Sequence, residues 1–520
     1  MLVDSAGFAP AAFSYFDEAF GKGFLRTKRA AAALRALLIN KLSLLFMLFI
    51  CLLYNNYCAY MSKDNTRAYS RIFERVIGEI RPGPDEAGAT VQSINMLMAR
   101  LKKIVPPDVE LRVAGSVARG TNLKGNADID IFMLFNPSYS REDVTRKGLL
   151  YGKRIVDKSA GESFEVKYAE HAYTRLYMKN IGLKADLVPA YKISNAEELA
   201  TSVDRTPLHT EFINSRMSSR QKDHVRLLKF LLRNHGIYGA EVKVGGFSGY
   251  LCELLILQFG DFPAVLKAFS EAKLPLVLEP GSGKISNDQS VSKKFNSRFV
   301  VIDPVDPDRN VAAGVSEESL ARLVLIARQF IENPDVKLIY GTGFDAEKVR
   351  GYMADFLNRT GTELYLIAAK VPDKSEDVIW PQLRKVSVMI TEYLRRFGVE
   401  VWIATSWKQG KTGLIMFVVQ KKSVKARILK GPDIFMGKAC GQFIKKHRKA
   451  EGFIIRDTVL YAIEKNKPGD HLSIFREVAS GRPVNRHKEI SLKGSRLYVN
   501  SVPKQYAENA YIELEKEISI

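Results

Sequence analysis

Two carboxylates, Asp128 and Asp130, stand two residues apart in the run ADIDIFMLF, which otherwise reads as the buried core of a sheet. On a strand, residues i and i+2 share a face. Both acids therefore point one way, and Ile129 and Ile131 point the other way into a core. Neighbouring carboxylates repel unless a cation sits between them. Hard oxygen ligands at this spacing suit Mg²⁺, which keeps several waters and also takes substrate phosphates. A third acid, Asp186, lies in another apolar run, LKADLVP, and would complete the ligand set of two-metal phosphoryl transfer. Upstream, Gly115-Ser116 falls at a strand-to-helix turn, with Arg119 and Lys124 just beyond it. Glycine allows close backbone approach, serine offers a hydroxyl and a peptide N–H, and a following helix aims free amides at an anion. The loop reads as a triphosphate cradle and the strand as a metal platform. Charges that keep an edge strand from aggregating would also put acids on a strand. That alternative gives no reason for the Gly-Ser, the basic loop and the third acid.

The elements that must position these groups follow from periodicity and from Pro and Gly stops. Asn65 to Ile80 and Asp85 to Ile104 carry apolar residues at helical spacing. Glu110 to Ala114 is a strand, Val117 to Leu123 a short helix, and Asp128 to Phe135 the acid-bearing strand. Ser140 to Tyr151 is helical. Phe164 to Glu170, Tyr173 to Met178 and Leu183 to Tyr191 are strands. Together they predict a small α+β unit with a mixed sheet. Beyond it, Gln221 to His235 is a basic amphipathic helix, Gly249 to Phe259 an apolar one and Ser316 to Asn333 another. Thr362 to Val371, Trp380 to Phe397, Val399 to Thr405 and Gly413 to Gln420 then read strand, helix, hairpin, an order that suits a ferredoxin-like sheet. The run from Lys421 to Lys449 is very basic.

Length and charge set the wider bounds. The chain has 520 residues, and 46% of them are hydrophobic, which excludes global disorder. Lys and Arg number 78 against 57 acids, a formal net charge of +21. Such an excess favours a polyanionic partner, nucleic acid or an anionic membrane surface. The four cysteines form no C-x-x-C pair and the seven histidines show no zinc-ligand spacing, so neither a zinc site nor a disulfide framework is expected and the chain reads as cytoplasmic. The division expected is a doubtful hydrophobic extension at 1–60, a catalytic unit at 61–200, a helical unit at 201–340, and a body and basic tail at 341–520. Leu42 to Tyr54 is strongly apolar behind a basic flank. It is shorter than the roughly 20 residues a spanning helix needs. Met61 opens an ordinary soluble N-terminus. Residues 1–60 are either an upstream extension absent from the working protein or a membrane anchor, and membrane contact is expected only in the second case.

The pattern G-S-x-x-R-G-T-x-L followed by D-I-D-I-F resembles the signature of the DNA polymerase β nucleotidyltransferase superfamily. Later segments narrow it: Asp186-Leu-Val-Pro-Ala-Tyr191, Asp204-Arg-Thr-Pro-Leu-His209, Arg226-Leu-Leu-Lys229, Gly236-Ile-Tyr238, Gly246 to Glu253, and Asp303-Pro-Val-Asp306 with Arg309-Asn310. In that order they resemble the archaeal, class I CCA-adding enzymes. The likeness is dense from Arg112 to Ala313 and does not reach residues 1–60. It implies a polymerase β-like catalytic fold and template-independent addition of CCA to tRNA from CTP and ATP, with Mg²⁺ on Asp128, Asp130 and Asp186. The first of these acids is often Glu in the family. Ser116, Arg119, Thr206, His209, Lys229 and Tyr238 would hold the triphosphate. Arg309 would help select the base together with the tRNA backbone. The basic central and C-terminal parts would grip the acceptor stem and T arm, and relatives imply a homodimer. A poly(A) polymerase or another RNA nucleotidyltransferase shares the acid strand and is the competing reading. Taken singly, Lys229 also reads as a solvated lysine, His209 as a structural histidine, Tyr238 as helix-end packing and Arg309 as a turn closer. Lys167 and Arg175 read as surface charges, and the Gly246 to Glu253 stretch as backbone packing.

Overall fold

The computed structural model describes residues 72–518 except 169–171, 342–345, 422–425, 466–470 and 482–489. Residues 1–60, and with them the expectations of an extension or an anchor, lie outside the described residues. Among the described residues no single helix is long and apolar enough to cross a membrane.

The first sheet has five strands in the order β1-β2-β5-β4-β3. They are β1 (Glu110–Ala114), β2 (Asp128–Phe135), β3 (Glu162–Tyr168), β4 (Ala172–Met178) and β5 (Leu183–Tyr191). The sheet is mixed: β2 and β5 run parallel and the other pairs antiparallel. The alternation read from the sequence of β2 decides its two faces. Ile129, Ile131, Met133 and Phe135 enter the main core, against Leu97 and Leu101 of the Pro84–Lys102 helix and Val144 and Tyr151 of the Arg141–Arg154 helix. The opposite face carries the acids, followed by Phe132 and Leu134 in a small second cluster with Ala114 and Ala190.

Helices then dominate: Arg205–Arg216, Ser219–Asn234, Gly249–Phe259, Phe262–Ser270 and Glu317–Glu332. Within this part the sequence reading missed a three-stranded sheet, ordered β7-β6-β8 and made of β6 (Leu276–Glu279), β7 (Lys284–Ser286) and β8 (Phe299–Val301). Its strands are only three or four residues long, too short to show alternation.

The expected strand-helix-hairpin order appears as β9 (Thr362–Lys370), the Glu376–Arg396 helix, β10 (Val401–Gln409) and β11 (Thr412–Gln420). The His471–Ala479 helix and β15 (Arg496–Val499) complete a β-α-β-β-α-β unit with sheet order β10-β11-β9-β15, the ferredoxin-like arrangement. Apolar clusters cover both faces of this sheet. Inserted before its second helix is a separate sheet, β12-β14-β13, made of β12 (Ala426–Asp433), β13 (Gly452–Arg456) and β14 (Val459–Lys465). β12 falls in the stretch that reads in sequence only as a basic run, and β13 and β14 lie just beyond it.

Candidate active site

Strand register builds the acid face. The parallel β2–β5 pair sets Asp130 beside Asp186 and Asp128 beside Lys184. On the other side, Ala114 at the end of β1 lies opposite Asp130. The chain then turns at Gly115 with φ +76°, and a Cβ there would stand 1.7 Å from Asp130 Oδ2. Only glycine satisfies both the backbone angle and that approach. Burial, and next the charge of Asp186, push Asp130 up to about 7. β4 brings Arg175 opposite Asp186. Its Nε donates to Asp186 Oδ1 at 2.7 Å and its terminal nitrogen to Oδ2 at 2.6 Å. Asp128 is exposed at the open end of the strand. Among the described residues no three carboxylate, histidine or cysteine groups already form a metal shell. What the face holds is a repelling pair of hard oxygen donors with a third acid two residues along. That donor set fits a hard divalent cation, with which Asp186, already held by Arg175, would be shared.

Next to this face, the five-residue Gly115–Arg119 helix carries Ser116, partly exposed, and Arg119, buried. Arg119 Nη1 donates to Thr210 Oγ1 at 3.1 Å, and Thr210 in turn donates to the Thr206 carbonyl at 3.0 Å. Arg119 Nε lies 2.7 Å from Glu253 Oε2. The two atoms are not aligned for a hydrogen bond, and neither has another partner, so the contact is an ion pair. Glu253 Oε1 accepts from Thr121 Oγ1 and lies 3.4 Å from Lys229 Nζ. Lys229 Nζ also donates to the Thr121 carbonyl and hydroxyl oxygens, each at 3.1 Å. Lys229 is 1% exposed and Glu253 fully buried.

Local sequence explains these placements. A Ser218–Gln221 capping box starts the Ser219–Asn234 helix, whose inner face carries Arg226 and Lys229. Arg226 donates to the carbonyls of Gly120 and Asn122 at 2.6 and 2.9 Å and so pins the loop after the Gly-Ser turn. Ser248 caps the Gly249–Phe259 helix. A Cβ on Gly249 would meet Tyr238 Oη at 3.1 Å and Lys229 Nζ at 3.5 Å, which places tyrosine and lysine around that helix start. Burial holds Lys229 below its ordinary pKa against the pull of Glu253. Burial would raise Glu253, but Arg119 and Lys229 outweigh it and hold the carboxyl low.

A second buried carboxylate, Asp303, organises the neighbouring part. Its Oδ2 accepts from His209 Nε2 at 2.9 Å and from Arg309 Nη1 at 2.8 Å. Its Oδ1 accepts from Tyr250 Oη at 3.1 Å and from the Val305 amide at 3.0 Å. Tyr250 stacks on His209 with ring centroids 3.9 Å apart. Burial alone would raise Asp303, but the His209 hydrogen bond and its other donors hold it at about 2. Burial in turn keeps His209 below the usual histidine range despite Asp303. Tyr250 and Glu253 are three apart on one helix and so share a face. That single turn reaches both carboxylate hubs.

Three family models match in chain order. "Nucleotidyltransferase domain" covers 94–209, "tRNA nucleotidyltransferase, second domain" covers 223–340, and "CCA-adding enzyme, C-terminal domain" covers 360–487. The CCA-adding enzyme of Methanocaldococcus jannaschii is 32% identical over 433 residues, 80% of this chain and 91% of that one. The CCA-adding enzyme of Methanococcus maripaludis strain C7 is 34% identical over 439 residues, 81% of this chain and 94% of that one. This chain belongs to the CCA-adding enzyme family. The CCA-adding enzyme of Thermococcus gammatolerans, 32% identical, is matched over 98% of its length. Among solved structures, Cid1 poly(U) polymerase aligns at a TM-score of 0.44 and 14% identity over 53% of this chain, a loose likeness of outline.

For a family member, the ten residues singled out in the sequence fall into three neighbouring groups. Asp128, Asp130 and Asp186 share the acid face, beside Ser116. Arg119, Lys229 and Tyr238 gather around the Glu253 hub, and Thr206 reaches Arg119 only through Thr210. His209 and Arg309 meet on Asp303. Several readings need correcting. Lys229 is buried, not solvated. Arg175 is tied to Asp186, although Lys167 is indeed a surface lysine paired with Glu165. The short helix begins at Gly115, two residues before the expected start, because the glycine itself makes the turn. Arg309 does close a turn, through its amide to Asp306 at 2.9 Å, but its side chain works on Asp303 as well. Glu253, Asp303, Tyr250 and Arg226 were passed over. The signal for the two acids was present: each is a carboxylate in an apolar run, GYLCELLILQF and FVVID, the same pattern that exposed Asp186.

Proposed function

We infer that this chain builds the 3′-terminal CCA of tRNA without a template, adding CMP from CTP and then AMP from ATP. One observation carries the residue-level reading: a pair of repelling carboxylates and a buried excess of cations stand side by side across a single turn, Gly115 to Arg119. An incoming nucleotide with its magnesium supplies the opposite charge to each.

Asp128, Asp130 and Asp186 would hold Mg²⁺, which when bound neutralises phosphate charge and lowers the pKa of the attacking hydroxyl. Ser116, Arg119, Thr206, His209, Lys229 and Tyr238 would hold the triphosphate. Arg309 serves the base end. The tRNA 3′-hydroxyl attacks the α-phosphate in line and pyrophosphate leaves. Asp186, held by Arg175, is the candidate acceptor for the hydroxyl proton. The residues contribute chiefly positioning and charge neutralisation. On this reading residues 61–200 are the catalytic unit, 201–340 a nucleotide and tRNA unit, and 341–520 a tRNA-gripping body and tail.

The test supplies tRNA lacking its CCA end with labelled CTP, ATP or both. Incorporation of two C residues followed by a single A supports the reading. A run of A residues, as from a poly(A) polymerase, or absence of CTP incorporation would overturn it.

A further inference from the structure

We propose that Glu253 is a positioning residue for the triphosphate: fully buried, it holds Arg119 from the catalytic unit and the buried Lys229 from the following helices in one cluster, so that their net positive charge is fixed beside the nucleotide. The proposal rests on reading Arg119 and Lys229 as phosphate ligands.

The geometry gives Glu253 this part and no direct one. Both of its oxygens are turned to protein groups, one to Arg119 and the other to Thr121 and Lys229. It sits on the Gly249–Phe259 helix, while Arg119 and Thr121 belong to the Gly-Ser turn and Lys229 to the Ser219–Asn234 helix. One carboxylate therefore ties three chain segments at the place where two cations converge. Two buried cations without a counter-ion repel, and each carries a heavy desolvation cost. Lys229 can shed that cost by losing its proton. Arg119 can shed it only by moving away, because guanidinium does not deprotonate in proteins. Either response removes a phosphate ligand. Glu253 blocks both routes and still leaves a cation in excess for the anion.

The expected signature is selective. Glu253→Gln keeps shape and removes charge. It should raise KM for CTP and for ATP together, by about tenfold or more, the usual scale for losing a buried charge-assisted contact. The inhibition constant of pyrophosphate should rise by a similar factor, while KM for tRNA stays where it is. Glu253→Asp should recover most of the loss. Nucleotide KM and pyrophosphate inhibition unchanged in folded Glu253→Gln would overturn the proposal, as would a fall confined to kcat. If Glu253→Gln does not fold, Thr121→Val replaces it by removing the hydroxyl shared by Glu253 and Lys229. The same pair of constants should then rise about threefold, on the scale of one net hydrogen bond, and no rise would refute the proposal. Absence of CTP and ATP incorporation by the unaltered protein would refute the functional reading itself, a separate outcome.

Discussion

The acid face of the first sheet and the buried cluster beside it solve opposite electrostatic problems. On the acid face, three carboxylates meet one guanidinium, and the register of β2 and β5 forces two of the acids together. In the cluster, two cations share the one carboxylate of Glu253. Each region is left short of the charge that the other holds in excess, yet the two do not neutralise one another. Gly115 keeps them apart by a single turn while letting the backbone pass against Asp130. Unequal charge on each side, held rigidly by a sheet and by capped helices, is a cost to folding. It makes sense as preorganisation for a ligand that brings a divalent cation to one side and phosphates to the other.

That comparison can be broken at either end. Removing the acid side should have the largest effect: Asp130→Ala should lower incorporation of both C and A by roughly a thousandfold or more, because a metal clamp held there would supply several kcal/mol. Substantial activity in either half-reaction would contradict the placement of the metal there. On the polyanion side, tRNA binding should weaken by about tenfold or more between roughly 50 and 200 mM salt and should be blind to tRNA identity. A filter-binding titration across salt checks this, and a flat curve would argue against backbone gripping. Asp303→Asn sharpens the contrast between the two hubs. It loosens His209 and Arg309 together, so kcat/KM should fall by about tenfold and the ratio of C to A selection should shift, on the scale of a hydrogen bond to a charged group. Glu253→Gln should leave that ratio alone. The smallest expected effect is in stability. Asp303 has a folded value of about 2, below the roughly 3.9 of an unfolded aspartate. Its stabilisation is present above about pH 4 and drains away as pH falls through about 2. Tm of the unaltered protein should therefore drop more steeply over that range than Tm of Asp303→Asn, and parallel curves would contradict the account.

Much of the acid face could be read before any coordinates. The start of β2 follows from alternation, because one side of it faces a core and the period of two is local, whereas β1 and β5 read as short apolar runs bounded by turn signals. Asp186 stood out as an acid where only apolar residues belong. The cation cluster was harder to see. Lys229 lies on an amphipathic helix whose polar side looks solvated, and only packing against the Gly-Ser loop shows that this side is buried. Arg175 lies on a strand whose partner is fixed by sheet order, and sheet order is a long-range property. Short strands such as β6 to β8, and β12 inside a basic run, carry too little periodicity to announce themselves. Local pattern reveals groups that sit beside their supports in the chain, and misses groups that meet across segments.

The most direct measurement is calorimetric titration of CTP into the protein with and without Mg²⁺, repeated on Asp130→Asn. If the acid face and the cation cluster act as two halves of one receptor, Mg²⁺ should tighten CTP binding by about tenfold or more in the unaltered protein, the scale of a typical coupling free energy between sites, and should do little in Asp130→Asn. Equal CTP affinity with and without Mg²⁺ in the unaltered protein would contradict the account.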